Sequence, residues 1–204
     1  MGGALSGRRN GQPRPRTQYR NEQPYSYELL ASDVLGLMDY LQIQKAAIIG
    51  WSDGAIVGRD IAIHNPERLT KLFAFAANSD PSGVKEDVAE NPINKALAVR
   101  VRKEYAELSS TPDEYESFRD QIHRMWDTQP NFTAELLSGI NLPTWIVDGD
   151  HDTEIKRENT LFMADQIPNA ELLLQPEVGH LSFLQDPEQF NFDALHFLQR
   201  VTEQ

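Results

Sequence analysis

Gly50–Trp51–Ser52–Asp53–Gly54 is the stretch that decides how this chain reads. Before it, Lys45–Ala46–Ala47–Ile48–Ile49 is a short apolar run suited to a buried strand. After it, Ala55 to His64 reads as a helix that Asn65–Pro66 stops. The pentapeptide therefore occupies a strand-to-helix turn. A serine hydroxyl is a poor nucleophile that must be exposed and deprotonated on demand. A tight turn exposes it, flanking glycines let neighbouring backbone approach without a clashing Cβ, and the helix N-terminus favours developing negative charge. As a bare pattern, G-x-S-x-G is weak, since composition alone places it in roughly one chain in fifteen of this length. The strand and helix on either side give it weight.

Two sites downstream supply what a serine nucleophile lacks. Pro143 to Asp148 is a second strand-like run, followed directly by Gly149–Asp150–His151–Asp152. Ala170 to Gln175 is another, followed by Val178–Gly179–His180. A histidine can take the serine proton, and a carboxylate can orient the histidine. Asp152 is placed for that task, with Asp150 as its rival; Asp150 suits a turn equally well, by binding backbone N–H groups. His151 reads as exposed. The order Ser, Asp, His, each at the carboxyl end of a strand, puts all three on one rim of a parallel sheet.

The rest of the chain fits such a sheet. Leu30, Val34, Leu37, Met38 and Leu41 repeat at helical spacing after Ser26, a suitable N-cap. Leu69 to Ala77 is a strand-like run, Glu154 to Gln166 reads as a helix, and Pro187 to Gln199 as a final amphipathic helix. Strands alternating with helices imply a parallel sheet covered on both faces, an α/β fold. Residues 84–139 differ: they are charged and helical, and Pro92, Pro112 and Pro130 divide them into about three helices. This gives a core of residues 26–83 and 140–204, a helical cap at 84–139, and a flexible or remnant segment at 1–25.

The chain resembles the C-terminal portion of an α/β-hydrolase-fold serine hydrolase across roughly residues 26–204. The matching stretches are Gly50–Trp51–Ser52–Asp53–Gly54, Asn65–Pro66–Glu67–Arg68–Leu69, Pro143 through Asp152, and Gly179–His180 followed by Asp186–Pro187. The W-S-D-G elbow resembles the valacyclovirase-like and lactonase-like esterase branch. The resemblance implies Ser52 as nucleophile, His180 as general base then acid, Asp152 as orienting carboxylate, and the Asp53 N–H as one oxyanion donor. It also implies hydrolysis of a small ester, lactone or amide through an acyl-enzyme, with no cofactor.

The sequence departs from the family at its start. The family begins with about four strands, and a His-Gly-type loop after the third supplies a second oxyanion N–H. No such segment precedes the elbow in these 204 residues. Ser6 through Pro13 looks like a remnant of the loop after the fourth strand. The expectation is thus an N-terminally truncated hydrolase, whose Ala46–Ile49 strand would lie at an apolar edge open to pairing with a second copy. Two other readings remain open: a weakly active or inactive homologue serving as an interaction protein, and haloperoxidase or carbon–carbon hydrolase chemistry on the same triad.

Other residues carry two readings each. Trp51 suits the wall of an acyl pocket or plain packing. Asp53 suits attraction of a cationic substrate group or a helix N-terminus that favours acids. Met125, Trp126, Phe132, Leu136 and Leu137 suit a pocket lining or the docking of the cap.

Composition narrows the field further. The net charge is −12, and it would be more negative without Arg8, Arg9, Arg14, Arg16 and Arg20 at the start. An acidic surface disfavours nucleic acid and anionic membranes as partners. There are no cysteines, which excludes disulfides, thiolate metal sites and a Cys nucleophile. No histidine cluster shows metal-ligand spacing. No leader-like or membrane-length apolar run is present, and the cytosol is the expected location.

Overall fold

A computed structural model describes residues 23–200. The readings made for residues 1–22, including the arginine-rich stretch and the Ser6–Pro13 remnant, lie outside them. Four parallel strands form one sheet in chain order: β1 (Ala46–Trp51), β2 (Leu69–Phe75), β3 (Thr144–Gly149) and β4 (Ala170–Gln175). Helices α1 (Tyr27–Tyr40) and α2 (Asp53–His64) flank β1 in sequence. Helices α3 (Pro92–Leu108), α4 (Tyr115–Trp126) and α5 (Ala134–Ser138) lie between β2 and β3. Helix α6 (Arg157–Gln166) follows β3, and α7 (Ser182–Gln185) and α8 (Pro187–Gln199) follow β4. No helix among the described residues is long and apolar enough to cross a membrane.

The period-two alternation of strand side chains divides the core. On β2, Leu72 and Ala74 join one cluster with Tyr27, Ala31, Ile56, Ile61, Ile146 and Met163, beneath α1, α2 and α6. Phe73 and Phe75 join the other, with Val147, Ala194 and Phe197 of α8. Burying each such phenylalanine contributes about 1.5–3 kcal/mol. Between α2 and the sheet, a Cβ on Gly58 would come within 2.6 Å of Leu72 Cδ1, so that helix lies close against β2.

Element ends differ from the sequence reading for local reasons. Ser26 caps α1 as expected, its Oγ accepting from Leu29 N–H at 3.1 Å. Strand β2 stops at Phe75, because Ala76 turns into the left-handed region at φ 52°. Helix α6 starts at Arg157 and not near Glu154, because the Asp152 carboxylate holds the Glu154 and Ile155 N–H groups at 2.6 and 2.7 Å in a turn. Among the described residues β1 borders the sheet, and Ile49 on it is 44% exposed.

Candidate active site

Ser52 joins β1 to α2 in a left-handed conformation, φ 51° and ψ −119°. A non-glycine residue there costs about 1–3 kcal/mol and persists only where its surroundings fix it. The surroundings do so: Ser52 N–H donates to the Phe75 carbonyl at 2.9 Å, and the Ser52 carbonyl accepts from Ala55 and Ile56 N–H groups. Gly50 makes the turn possible, since a Cβ on it would lie 2.4 Å from the Gly54 carbonyl oxygen and 2.5 Å from Ala55 N. Around Gly54 there is open space, so of the two flanking glycines only the first is sterically required. The Ser52 side chain does not cap the helix behind it, and its Oγ has no hydrogen-bond partner among the described residues. As the first residue of α2, Asp53 has an N–H with no intrahelical acceptor.

The loops after β3 and β4 bring Asp152 and His180 together. A Cβ on Gly149 would lie 2.4 Å from the Val178 carbonyl oxygen, so the two loops touch backbone to backbone. His151 N–H donates across them to that carbonyl at 3.0 Å. His180 Nδ1 then lies 2.9 Å from Asp152 Oδ2, both side chains being buried. Burial alone would lower the His180 pKa, but the Asp152 hydrogen bond and the charges of Asp152 and Glu154 raise it. Burial alone would raise Asp152, and its bond to His180 and the imidazolium charge bring it below the ordinary value. Asp150 does not reach His180: its Oδ1 lies 2.7 Å from Nδ1 of the exposed His151.

The elbow and the histidine loop are linked through Trp51. Its indole N–H donates to the His180 carbonyl at 2.8 Å, and its ring packs against His180 and Phe183. His180 Nε2 lies 3.5 Å from Glu154 Oε2. The structure thus pairs Asp152 with His180 and ties the elbow to them through Trp51, and among the described residues no hydrogen bond joins Ser52 Oγ to His180.

Asp53 points toward the helices between β2 and β3. Its Oδ1 accepts from Tyr27 Oη–H at 2.7 Å, and both its oxygens lie within 3.1 Å of Trp126 Nε1. Burial raises its pKa, against the lowering effect of these bonds and of the His180 charge. Met125, Phe132 and Leu137 are buried in the core cluster, whereas Trp126 and Leu136 are partly exposed. Three of the five apolar residues therefore dock these helices onto the core.

Four contributors were not singled out in the sequence: Tyr27, Arg59, Asp148 and Glu154. Arg59 is fully buried, donating to the Asn78 carbonyl and Met163 Sδ beside the Phe132 ring, with no carboxylate partner among the described residues. Burial lowers its pKa to about 9. Asp148 is buried at the end of β3, accepting from Gly149 N–H and Thr160 Oγ1–H, in hydrogen-bonding contact with Asp152. Burial, reinforced by the Asp152 charge, pushes its pKa up to about 8.

A consequence for stability follows from Asp148. Its folded pKa lies above its unfolded one, so its contribution is complete below the ordinary carboxylate range. That contribution is lost progressively as pH rises from about 4 toward 8. Asp148→Asn removes this titration. The variant should gain about 3–4 kcal/mol relative to the parent between pH 5 and pH 8, read from urea unfolding at both values. An unchanged difference would show Asp148 to be an ordinary ionised carboxylate.

Comparison with known proteins agrees with this geometry. The model of the alpha/beta hydrolase family matches residues 5–194. The serine hydrolase BPHL of Mus musculus is 26% identical over 180 residues, which are 85% of this chain and 61% of that protein. The chain thus spans about three fifths of the length of that relative. A putative carbamate hydrolase, RutD, of Pseudomonas savastanoi pv. phaseolicola is 27% identical, with 87% of this chain and 77% of that protein covered. Among solved structures, a mutant of the meta-cleavage product hydrolase CumD superposes with a TM-score of 0.73 at 22% identity, over 89% of this chain and 75% of that one. The elbow, the strand order and the family match converge on one assignment: this chain belongs to the alpha/beta hydrolase family.

Proposed function

We propose that the chain is a serine hydrolase that cleaves a small ester, lactone or amide-type bond through an acyl-enzyme. The observation that carries this reading is a left-handed Ser52 at the end of β1, next to Trp51, whose indole donates to the carbonyl of a buried His180 already bonded to Asp152. His180 Nε2 takes the Ser52 proton and Oγ attacks the substrate carbonyl. The oxyanion forms against the Asp53 N–H at the start of α2. The leaving group departs with the proton from His180, and water then cleaves the acyl-enzyme by the same route in reverse. Helices α3 to α5, within the proposed cap 84–139, lie between the strands that carry Ser52 and Asp152 and are placed to select the substrate. The relatives' names support the substrate class, since they include a putative carbamate hydrolase and a 3-oxoadipate enol-lactonase of Acinetobacter baylyi.

The test is covalent. Treatment of the chain with a fluorophosphonate, followed by peptide mass spectrometry, should place one adduct on Ser52. A folded chain that takes up no label would remove the acyl-enzyme mechanism.

Asp53 refines the substrate. Its carboxylate is held by two neutral donors, and among the described residues no cation is bonded to it. A substrate amine near Ser52 would be attracted to that charge. Amine-bearing esters should be turned over faster than neutral analogues by about tenfold, and Asp53→Asn should bring that ratio close to one. A ratio preserved in the variant sinks the assignment.

A further inference from the structure

Both ring nitrogens of His180 face carboxyl groups. Asp152 Oδ2 lies at Nδ1, and Glu154 Oε2 lies 3.5 Å from Nε2. A neutral imidazole has one N–H and one acceptor nitrogen, whereas the imidazolium donates from both. Two carboxylates on opposite edges of the ring therefore favour the doubly protonated form. In the proposed mechanism Nε2 is also the atom that accepts the Ser52 proton. Asp152 suits a base by fixing the Nδ1 proton. Glu154 acts against it through its charge, which favours a proton on the ring from the Nε2 side.

We propose that Glu154 is a positioning residue that competes with Ser52 for the Nε2 edge of His180 and sets the pH at which His180 becomes a free base. The proposal rests on the reading of His180 as that base.

The surroundings are consistent with this role. Glu154 sits two residues after Asp152, in the turn that the Asp152 carboxylate fixes by binding the Glu154 and Ile155 N–H groups. Its side chain is 22% exposed, so its carboxylate keeps a path to solvent. Other charged groups bear on the pair. Asp148 and Asp53 interact with His180 through their charge, Asp53 also with Glu154, and Lys85 Nζ donates to the Asp152 carbonyl. Trp51 covers the ring and holds the His180 carbonyl without adding charge. Of all these groups, Glu154 alone meets Nε2 among the described residues. Its Oε2 there stabilises the imidazolium, the form that cannot accept the Ser52 proton.

Two readouts test this on the full chain. Titration of the His180 ring by ¹H–¹⁵N NMR, assigned against a His180→Gln spectrum, should show a pKa about one unit lower in Glu154→Gln and in Glu154→Leu. Glu154→Asp, one methylene shorter, should fall between them and the parent. The acid limb of Ser52 labelling by the fluorophosphonate should move down by the same amount, with the alkaline plateau changed less than threefold. An NMR titration that is the same in parent and Glu154→Gln overturns the proposal, even if Ser52 labels normally. A shifted titration with an unmoved acid limb also overturns it, by showing that Glu154 touches His180 without governing the base. Absence of label at every pH with a shifted titration removes the hydrolase reading, while the control of the His180 proton by Glu154 stands.

Discussion

Ser52→Ala and His180→Ala are each expected to lower the hydrolytic turnover number by roughly 10⁵–10⁶-fold and to abolish fluorophosphonate labelling. The two groups act as one unit, because the alcohol is inert without a base and the base has nothing to activate without the alcohol. The double variant should therefore lose no more than either single one. Asp152→Asn should lose less, about 10⁴-fold, because the ring keeps its place but not its tautomer. Turnover of an activated ester with a chromogenic leaving group measures all four. Stability supplies an independent check on Ser52. Its φ of 51° is strained for any side chain, so Ser52→Gly should gain about 1 kcal/mol in urea unfolding while losing activity. A serine that could be removed with turnover intact would refute the assigned role.

Gly50→Ala should be the most damaging small substitution in the elbow. The added methyl would meet the Gly54 carbonyl oxygen at 2.4 Å and Ala55 N at 2.5 Å. Both are backbone atoms at the start of α2, with no flexible side chain to give way. Either the strand–helix turn opens or the helix shifts, and Ser52 moves with it. A loss of about 2–4 kcal/mol in urea unfolding is expected, together with loss of labelling at Ser52. Gly54→Ala is the matched control: nothing lies within 4 Å of its Cβ position, and alanine is the better helix former. It should stay within about 0.5 kcal/mol of the parent or gain slightly. Equal damage at both positions would mean that glycine serves here for some reason other than close approach.

Much of this arrangement was legible in the sequence. The alternation of apolar runs and helical stretches gave four parallel strands in order, because buried parallel strands need continuous apolar runs such as Ala46–Ile49 and Leu69–Phe75. Ser26 announced the start of α1 by its own chemistry. The pairing of His180 with Asp152 followed from their positions after successive strands, and the structure favours it over Asp150. Contacts made by side chains distant in sequence stayed hidden. Tyr27 meets Asp53 across 26 positions, and Trp51 meets the His180 carbonyl across 129. No periodicity encodes such distances. Glu154 was read as the first residue of a helix, when the Asp152 turn holds it beside the histidine ring instead. Asp148 reads as the end of an apolar strand, and only its burial beside Asp152 gives the reason its pKa is raised.

The contact between Trp51 and His180 has a practical meaning for the spectroscopist. A charged imidazole quenches the emission of a neighbouring indole more strongly than a neutral one. The two rings lie 5.6 Å apart between centroids. The other two tryptophans, Trp126 and Trp145, adjoin His123 and His196, and their replacement by phenylalanine would remove their emission at the cost of their bonds to Asp53 and Glu171. What is left is a single fluorophore whose brightness follows the protonation of one buried ring, with no substrate, label or turnover required.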